Sequence, residues 1–401
     1  MALEQLESRR LLSISGNVLT ENIYPAGDRD EHYFSITSQD LAAVGGEYVV
    51  TLSLSGGLSG FQPVARMQAP SGSLIGSEID AGSSQTFKLS VAGDYRVQVQ
   101  DNDDQDTGTY VLALEGINPP SLDAQAITLG ERKSARLDVM GEVDEYTFTA
   151  TAGNIVTLSL SESHLGSCAT LFSPTGDKVK LYSASTGNRV SQVAAGNKVL
   201  SEPLQAGKYV IQVYDNNYTA IGDYELSLEG LVPASANAVT LTPGETKTGD
   251  IAAGEVDAYK FIATGGSVVS VSLSDVVSGT DFNLWAELYS PSGKKDAKLP
   301  ATNGPDAVEN GNKVVYRLPT ETGTYVIQVY DYDYTHLEAY GVTLEGLNPP
   351  SLDAVAIAFG QQKTGTLSLQ GEVDAFSFTV FAADLAAGGG QYLAKLSFSS
   401  E

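Results

Sequence analysis

Cysteine is almost missing: Cys168 is the only one in 401 residues, which excludes an intramolecular disulfide and any cysteine-rich metal site. Histidine is nearly as scarce. His32, His164 and His336 stand at unrelated places, and no HExxH, GxSxG or cysteine–histidine pairing accompanies them. Nucleophile, base and orienting group cannot be assembled from such a set, so no enzymatic activity is expected. Basic residues are outnumbered, 23 against 49 acidic, giving a net charge of −26. Nucleic acid and anionic membranes are therefore poor partners, and cations better ones. No apolar run approaches the roughly 18 to 20 residues of a membrane-spanning helix. The opening MALEQLESRRLLSISGN also lacks the uninterrupted apolar stretch of an ordinary secretory signal, although Leu3, Leu6, Leu11 and Leu12 can make a short amphipathic helix. Elsewhere helical periodicity is missing beyond a turn or two, with DLAAVGG at 40–46 the best candidate.

What the chain has is apolar residues, 42% of the total, and a long repeat. GDRDEHYF (27–34), GEVDEYTF (141–148), GEVDAYKF (254–261) and GEVDAFSF (371–378) recur at steps of 114, 113 and 117 residues. A proline turn recurs as APSG, SPTG and SPSG, and each unit closes with GDYRVQV, GKYVIQV or GTYVIQV, an acidic loop, and then LALEG, LSLEG or TLEG. A period above 100 residues is too long for a solenoid, so each unit is expected to be a whole domain. The junctions INPPSLDA (117–124), LVPASANA (231–238) and LNPPSLDA (347–354) fall where one core should give way to the next. Their prolines predict an extended, polyproline-like connection and a semi-rigid string of beads. The expected layout is a leader-like segment at 1–13, repeats at 14–117, 118–231 and 232–347, and an incomplete repeat at 348–401.

Inside a unit the period is two. Tyr209, Ile211 and Val213 share one face of YVIQVY, with Val210, Gln212 and Tyr214 on the other, and VTLSLS at 156–161 alternates likewise. Short alternating strands broken by Gly, Asn, Asp and Pro turns predict an all-β chain of tandem antiparallel β-sandwich domains.

G-x-x-D-x-[YF]-x-F, the central L-[FY]-S-P-x-G turn, and G-x-Y-x-[IV]-x-V followed by an acidic loop and G-x-Y-x-L together resemble the bacterial pre-peptidase C-terminal domain. The pattern covers the chain from about residue 14 onward, departing from it at Gln100, where the later units have Tyr214 and Tyr330, and at residues 338–340, EAY. The resemblance implies jelly-roll-like modules appended to secreted proteases and similar to the collagen-binding modules of bacterial collagenases, with calcium held between the entering linker and the acidic loops. LEQLESRRLLS is similar to the LEPR-XLL leader of large bacterial surface proteins, with Ser8 where that pattern has proline, and implies a cell-surface or extracellular location.

The acidic loops are the candidate metal sites: Asp101, Asp103, Asp104 and Asp106 in the first unit, Asp215 and Asn217 in the second, Asp331 and Asp333 in the third. Two carboxylates at about 4 Å repel by roughly 4 kcal/mol at an effective dielectric near 20, and a hard cation such as calcium offsets this. Asp and Asn after a strand are equally turn formers that remain solvated. Asp30, Asp144, Asp257 and Asp374, at one place in every unit, suit a turn-capping role better than a catalytic one. Tyr214 and Tyr330, on the face opposite the core stripe, with Tyr218, Tyr332, Tyr334 and Trp285, are the candidate ligand-binding aromatics for an extracellular polysaccharide or protein. Coverage of that face by a neighbouring unit is the alternative. The half unit at the end, whose segment 383–399 is similar to 39–55, points to further repeats or to completion by another copy. Two functions stay open: a non-catalytic binding and spacer protein, or an accessory region of a secreted hydrolase.

Overall fold

The computed structural model describes residues 10–11, 18–57, 60–162, 166–184, 186–275, 283–296, 298–299, 307–369, 371–392 and 394–396. His164 and most of the leader-like segment lie outside the described residues.

Three antiparallel β-sandwiches follow one another. In the second, the front sheet runs in the order Gln125–Ala126, Val143–Ala150, Gly207–Asp215, Ser167–Phe172, Val193–Ala194. Its back sheet runs Glu131–Leu137, Gly222–Val232, Ile155–Glu162, Asn197–Ser201, Leu181–Ser183, Arg189–Val190. Tyr209, Ile211 and Val213 of the front sheet meet Leu158, Leu160, Leu226 and Leu228 of the back sheet in one buried core. This is the stripe that the period-two reading assigns. The first and third units repeat the scheme, with central front strands Gly93–Asp101 and Gly323–Asp331 and back strands Tyr48–Gly56 and Val268–Asp275. Each unit opens on a two-residue parallel strand. In the first unit it is Arg10–Leu11 against His32 and Tyr33, so this sandwich begins ahead of residue 14.

Among the described residues, helix is confined to two six-residue segments. Ser38–Ala43 falls where DLAAVGG predicts it, started by a Thr37 and Asp40 capping box. Asp40 is held below the usual carboxylate range by hydrogen bonds from Thr37. In the fourth unit, Val355–Ala356 pairs with Phe376–Ser377 and Ala382–Ala387 is helical. Ala394, Lys395 and Leu396 of the expected last strand are not in a strand. Phe378 is exposed, whereas its counterpart Phe34 is 2% exposed in a finished core.

The recurring aspartate does more than cap a turn. The Tyr224 hydroxyl donates to Asp144 at 2.5 Å and lies 2.7 Å from the Tyr146 hydroxyl, both tyrosines being buried in the core. Tyr340, Asp257 and Tyr259 repeat the arrangement, and Tyr110, Asp30 and His32 use an imidazole in place of the outer phenol. One carboxylate thus ties the second strand of each front sheet to the closing back strand. Burial pushes Asp144 up to about 6 against the pull of the Tyr224 hydrogen bond.

Replacing Tyr224 with Phe removes the donor and leaves Asp144 short of its partner. The cost of an orphaned buried acceptor is about 1–3 kcal/mol, so Tyr224→Phe is expected to lower the melting temperature of the second module by several degrees in calorimetry. An unchanged transition would show that this triad does not stabilise the sandwich.

Candidate functional site

Both faces of the second and third front sheets are buried, and the reason is the preceding module. Val49 and Ile117, on the outer face of the first back sheet, pack against Phe172 and Val210 of the second front sheet. Ile155 and Leu231 pack likewise against Tyr289 and Val326. Modules are therefore docked face to face, not strung as separate beads. The junction prolines do not extend either. The Asn118–Pro119, Val232–Pro233 and Asn348–Pro349 peptides are cis, and Ile117, Leu231 and Leu347 each bridge back across a tight turn to Pro120, Ala234 and Pro350.

A serine fixes that turn. Ser121 Oγ accepts from the Gly116 amide at 2.7 Å and donates to Glu115 at 2.8 Å. Ser235 does the same with Gly230 and Glu229, and Ser351 with Gly346 and Glu345. At the first junction the Ser121 amide also donates to Glu145 of the next module at 3.0 Å, and Gln212 donates to the other oxygen of that carboxylate. Burial and the neighbouring Glu145 push Glu115 up to about 8, while burial pushes Glu145 up to about 7. Where the third module has Ala258 in place of Glu145, a polar cavity of about 220 Å³ opens beside Glu229, Asp257 and Arg132. The glutamate, glycine and serine of each turn lie in the LEG and junction echoes of the sequence, but their hydrogen bonding and the part played by Glu145 and Gln212 were not legible there.

The tyrosines expected on an exposed binding face are joint residues. Tyr214 is 9% exposed, and Tyr218, Tyr330 and Tyr334 are buried more deeply, which corrects the outward reading of all four. Tyr218 and Tyr334 occupy the left-handed region at φ 58°, uncommon for a bulky residue. That turn aims each main-chain carbonyl at the preceding module. Ser55 Oγ donates to the Tyr218 carbonyl, and Ser161 Oγ to the Tyr334 carbonyl at 2.8 Å. Tyr214 stacks on Tyr218 and Tyr330 on Tyr334, with ring centroids 5.1 and 5.4 Å apart. The first module places Asp104 at the same position, φ 59°, where it pairs with Arg29 at 3.2 Å. Trp285 is partly exposed and Tyr332 is 39% exposed, with ring centroids 4.4 Å apart. Of the six candidate aromatics, this pair is the one that reaches solvent.

The acidic loops divide in the same way. Asp101 is buried and accepts from the Gln62, Gln105 and Asp106 amides. These hydrogen bonds outweigh its burial and hold it down to about 2, while the neighbouring Asp101 carboxylate raises Asp103. Asp101, Asp103 and Asp106 bring carboxylate oxygens within 4.8 Å of one another, an all-oxygen set that could hold a hard cation. Asp104 is drawn off to Arg29. In the second and third modules, Asp215 Oδ2 accepts from the Thr219 and Ala220 amides and Asp331 Oδ2 from those of Thr335 and His336. Asn217 and Asp333 point to solvent. Among the described residues, only the first loop assembles three acids. Cys168 is buried in the first joint, its thiol pushed up by burial.

The second joint is built around a charge. Lys198 and Glu287 are both fully buried, 2.7 Å apart, and Lys295 reaches Glu287 at 2.7 Å. Lys198 also donates to Gln328 at 3.0 Å and lies 3.8 Å above the Tyr330 ring, and Gln328 donates to Thr157 at 2.8 Å. Burial lowers Lys198 to about 8, and the two lysines overcome the burial of Glu287 to hold it near 2.

No family model matches this sequence, and no curated protein matches it. Among solved structures, the pre-peptidase C-terminal domain of a collagenase from Bacillus anthracis is 24% identical over 26% of this chain and 94% of its own, with a TM-score of 0.20. A periplasmic inhibitor of g-type lysozyme from Aeromonas hydrophila, PliG, is 15% identical over 27% of this chain and 98% of its own, with the same TM-score. A triple jelly-roll protein of an archaeal virus is 11% identical over 83% of this chain and 90% of its own, at a TM-score of 0.18.

The first joint is expected to weaken with rising pH. Glu115 and Glu145 bind protons more tightly folded than unfolded, so their stabilisation is fully present below the ordinary value of 4.5 and lost as pH rises through about 7 and 8. Each contributes a slope of up to about 1.4 kcal/mol per pH unit. Melting curves of the full chain between pH 5 and 8.5 should fall with pH, and Glu115→Gln should flatten the fall. An equal slope in that variant would remove Glu115 from this account.

Proposed function

We propose that this chain is a non-catalytic binding and spacer protein of the cell surface or extracellular space, built of pre-peptidase C-terminal-like modules. The observation that carries this reading is the face-to-face docking: the groups that chemistry could use, Asp144, Asp257, Tyr218, Tyr334, Lys198 and Glu287, are committed to cores and joints. Such docking makes a stiff array that sets a distance between whatever lies at its two ends. Among the described residues, no helix is long and apolar enough to cross a membrane.

Two surface features fit the binding part of the role. Asp101, Asp103 and Asp106 suit calcium, whose extracellular sites bind at about 10⁻⁴ to 10⁻³ M and tolerate irregular loops. Trp285 and Tyr332 offer an aromatic platform on the third module for a polysaccharide ring or an extracellular protein.

Calorimetric titration of the full chain with calcium should show one saturable site, lost in Asp101→Asn with Asp103→Asn. No heat in the parent protein would leave the loop a solvated turn. Co-sedimentation with fibrillar collagen and with insoluble polysaccharide should weaken by about tenfold in Trp285→Ala with Tyr332→Ala, the scale of one stacked aromatic contact. Binding of neither material by the parent, or binding untouched by the double substitution, would count against the platform.

A further inference from the structure

We propose that one facing residue pair in each joint acts as a key that sets which module follows which, and that Lys198 admits a successor only when it carries a carboxylate at the position of Glu287. Strand register makes the modules comparable. On the back sheets, Ser84, Lys198 and Lys313 stand opposite Ser53, Ser159 and Ser272, and so occupy one site in three modules. On the front sheets, Arg66, Thr170 and Glu287 stand opposite Gln98, Gln212 and Gln328.

The order in the chain sets neutral against neutral and charge against counter-charge. The first joint sets neutral Ser84 on the side facing a sheet that carries neutral Thr170. The second joint sets Lys198 against Glu287, with the Tyr289 hydroxyl donating to the same carboxylate at 2.6 Å and Lys295 completing its partners. Other orders misplace charge. A second module followed by a copy of itself buries Lys198 against Thr170, and followed by the first module it meets Arg66, a like charge. A buried charge without its partner is strongly disfavoured, and such penalties against wrong partners are how an interface becomes selective. Lys313, exposed on the third module, repeats the key of the second. The key is a property of the joints and holds whatever the array binds.

The test uses the full chain with Cys168→Ser and Val326→Cys, since Val326 is buried in the second joint and reacts with a maleimide only when that joint opens. Adding Glu287→Thr strands Lys198 and is expected to raise the labelling rate by about a hundredfold or more, the scale of breaking a buried pair. Adding Lys198→Ser to that variant installs the neutral chemistry of the first joint and should return the rate to within a few-fold of the parent. Far-UV circular dichroism checks that the modules stay folded, and Glu287→Gln serves where Glu287→Thr does not. An unchanged rate in the single variants, or a double variant as open as the single one, would overturn the key. A chain whose third module is replaced by a second copy of residues 118–231 should show an open, elongated second joint by small-angle scattering, closed again by Lys198→Ser. A closed joint before that substitution would also overturn it.

Discussion

The burial of the outer face of one sandwich by the next governs most of what this chain looks like. A front strand such as Gly207–Asp215 is packed from both sides, by its own back sheet and by the preceding module. A single sandwich of this size would hold its inner stripe and leave the other face wet. Docking changes what each outward position must be: an apolar filler at Val210 and Val326, an amide that bridges at Gln328, a charge only where the opposite face answers it at Glu287. The tight serine-held turn at each junction presents the second face to the first at short range, so a modest interface suffices to keep it closed.

The all-β sandwich was legible because the signals for it are local. Alternation places Tyr209, Ile211 and Val213 together, and glycine and proline mark the turns. The thresholds between modules were legible from the LEG and proline echoes, but their conformation was not. Proline pairs in isolation favour an extended path, and here a tertiary hydrogen bond from Ser121, Ser235 or Ser351 closes a turn instead. Tyr214 and Tyr330 show the same limit. Period two divides a strand into faces but cannot say whether the second face meets water. A cue was present in the run YVIQVY, whose Val210 opposes the core stripe and is no better suited to solvent than Ile211.

The candidate sites were legible only in part, since an aspartate after a strand reads alike whether it binds a cation or its own loop. Asp101, Asp215 and Asp331 all accept amides four and five residues on, and what distinguishes the first loop is the further carboxylates at Asp103 and Asp106. The recurring tyrosine answers to a different demand. Position 104 is free to be aspartate because the first module's front face, lined by Arg29, Glu31, Arg66 and Arg96 in ion pairs, has no described module seated on it. Positions 218 and 334 must fill a joint, and tyrosine does so with a flat ring stacked on its neighbour.

The two complete joints solve one packing problem with different chemistry, and the difference has a physical logic. A buried ion pair such as Lys198 and Glu287 stabilises little more than an apolar pair of the same size, because desolvation offsets the attraction. Stability alone therefore gives no reason to prefer it over the neutral contact at the first joint. Discrimination does give a reason. Three modules with the same sheet order and strand register could close on one another in several orders, within a chain or between chains. The neutral Ser84 and Thr170 positions of the first joint exclude none of them, whereas Lys198 tolerates only a face that supplies its counter-charge. In an array whose parts are so alike, the costly group is the one that tells them apart.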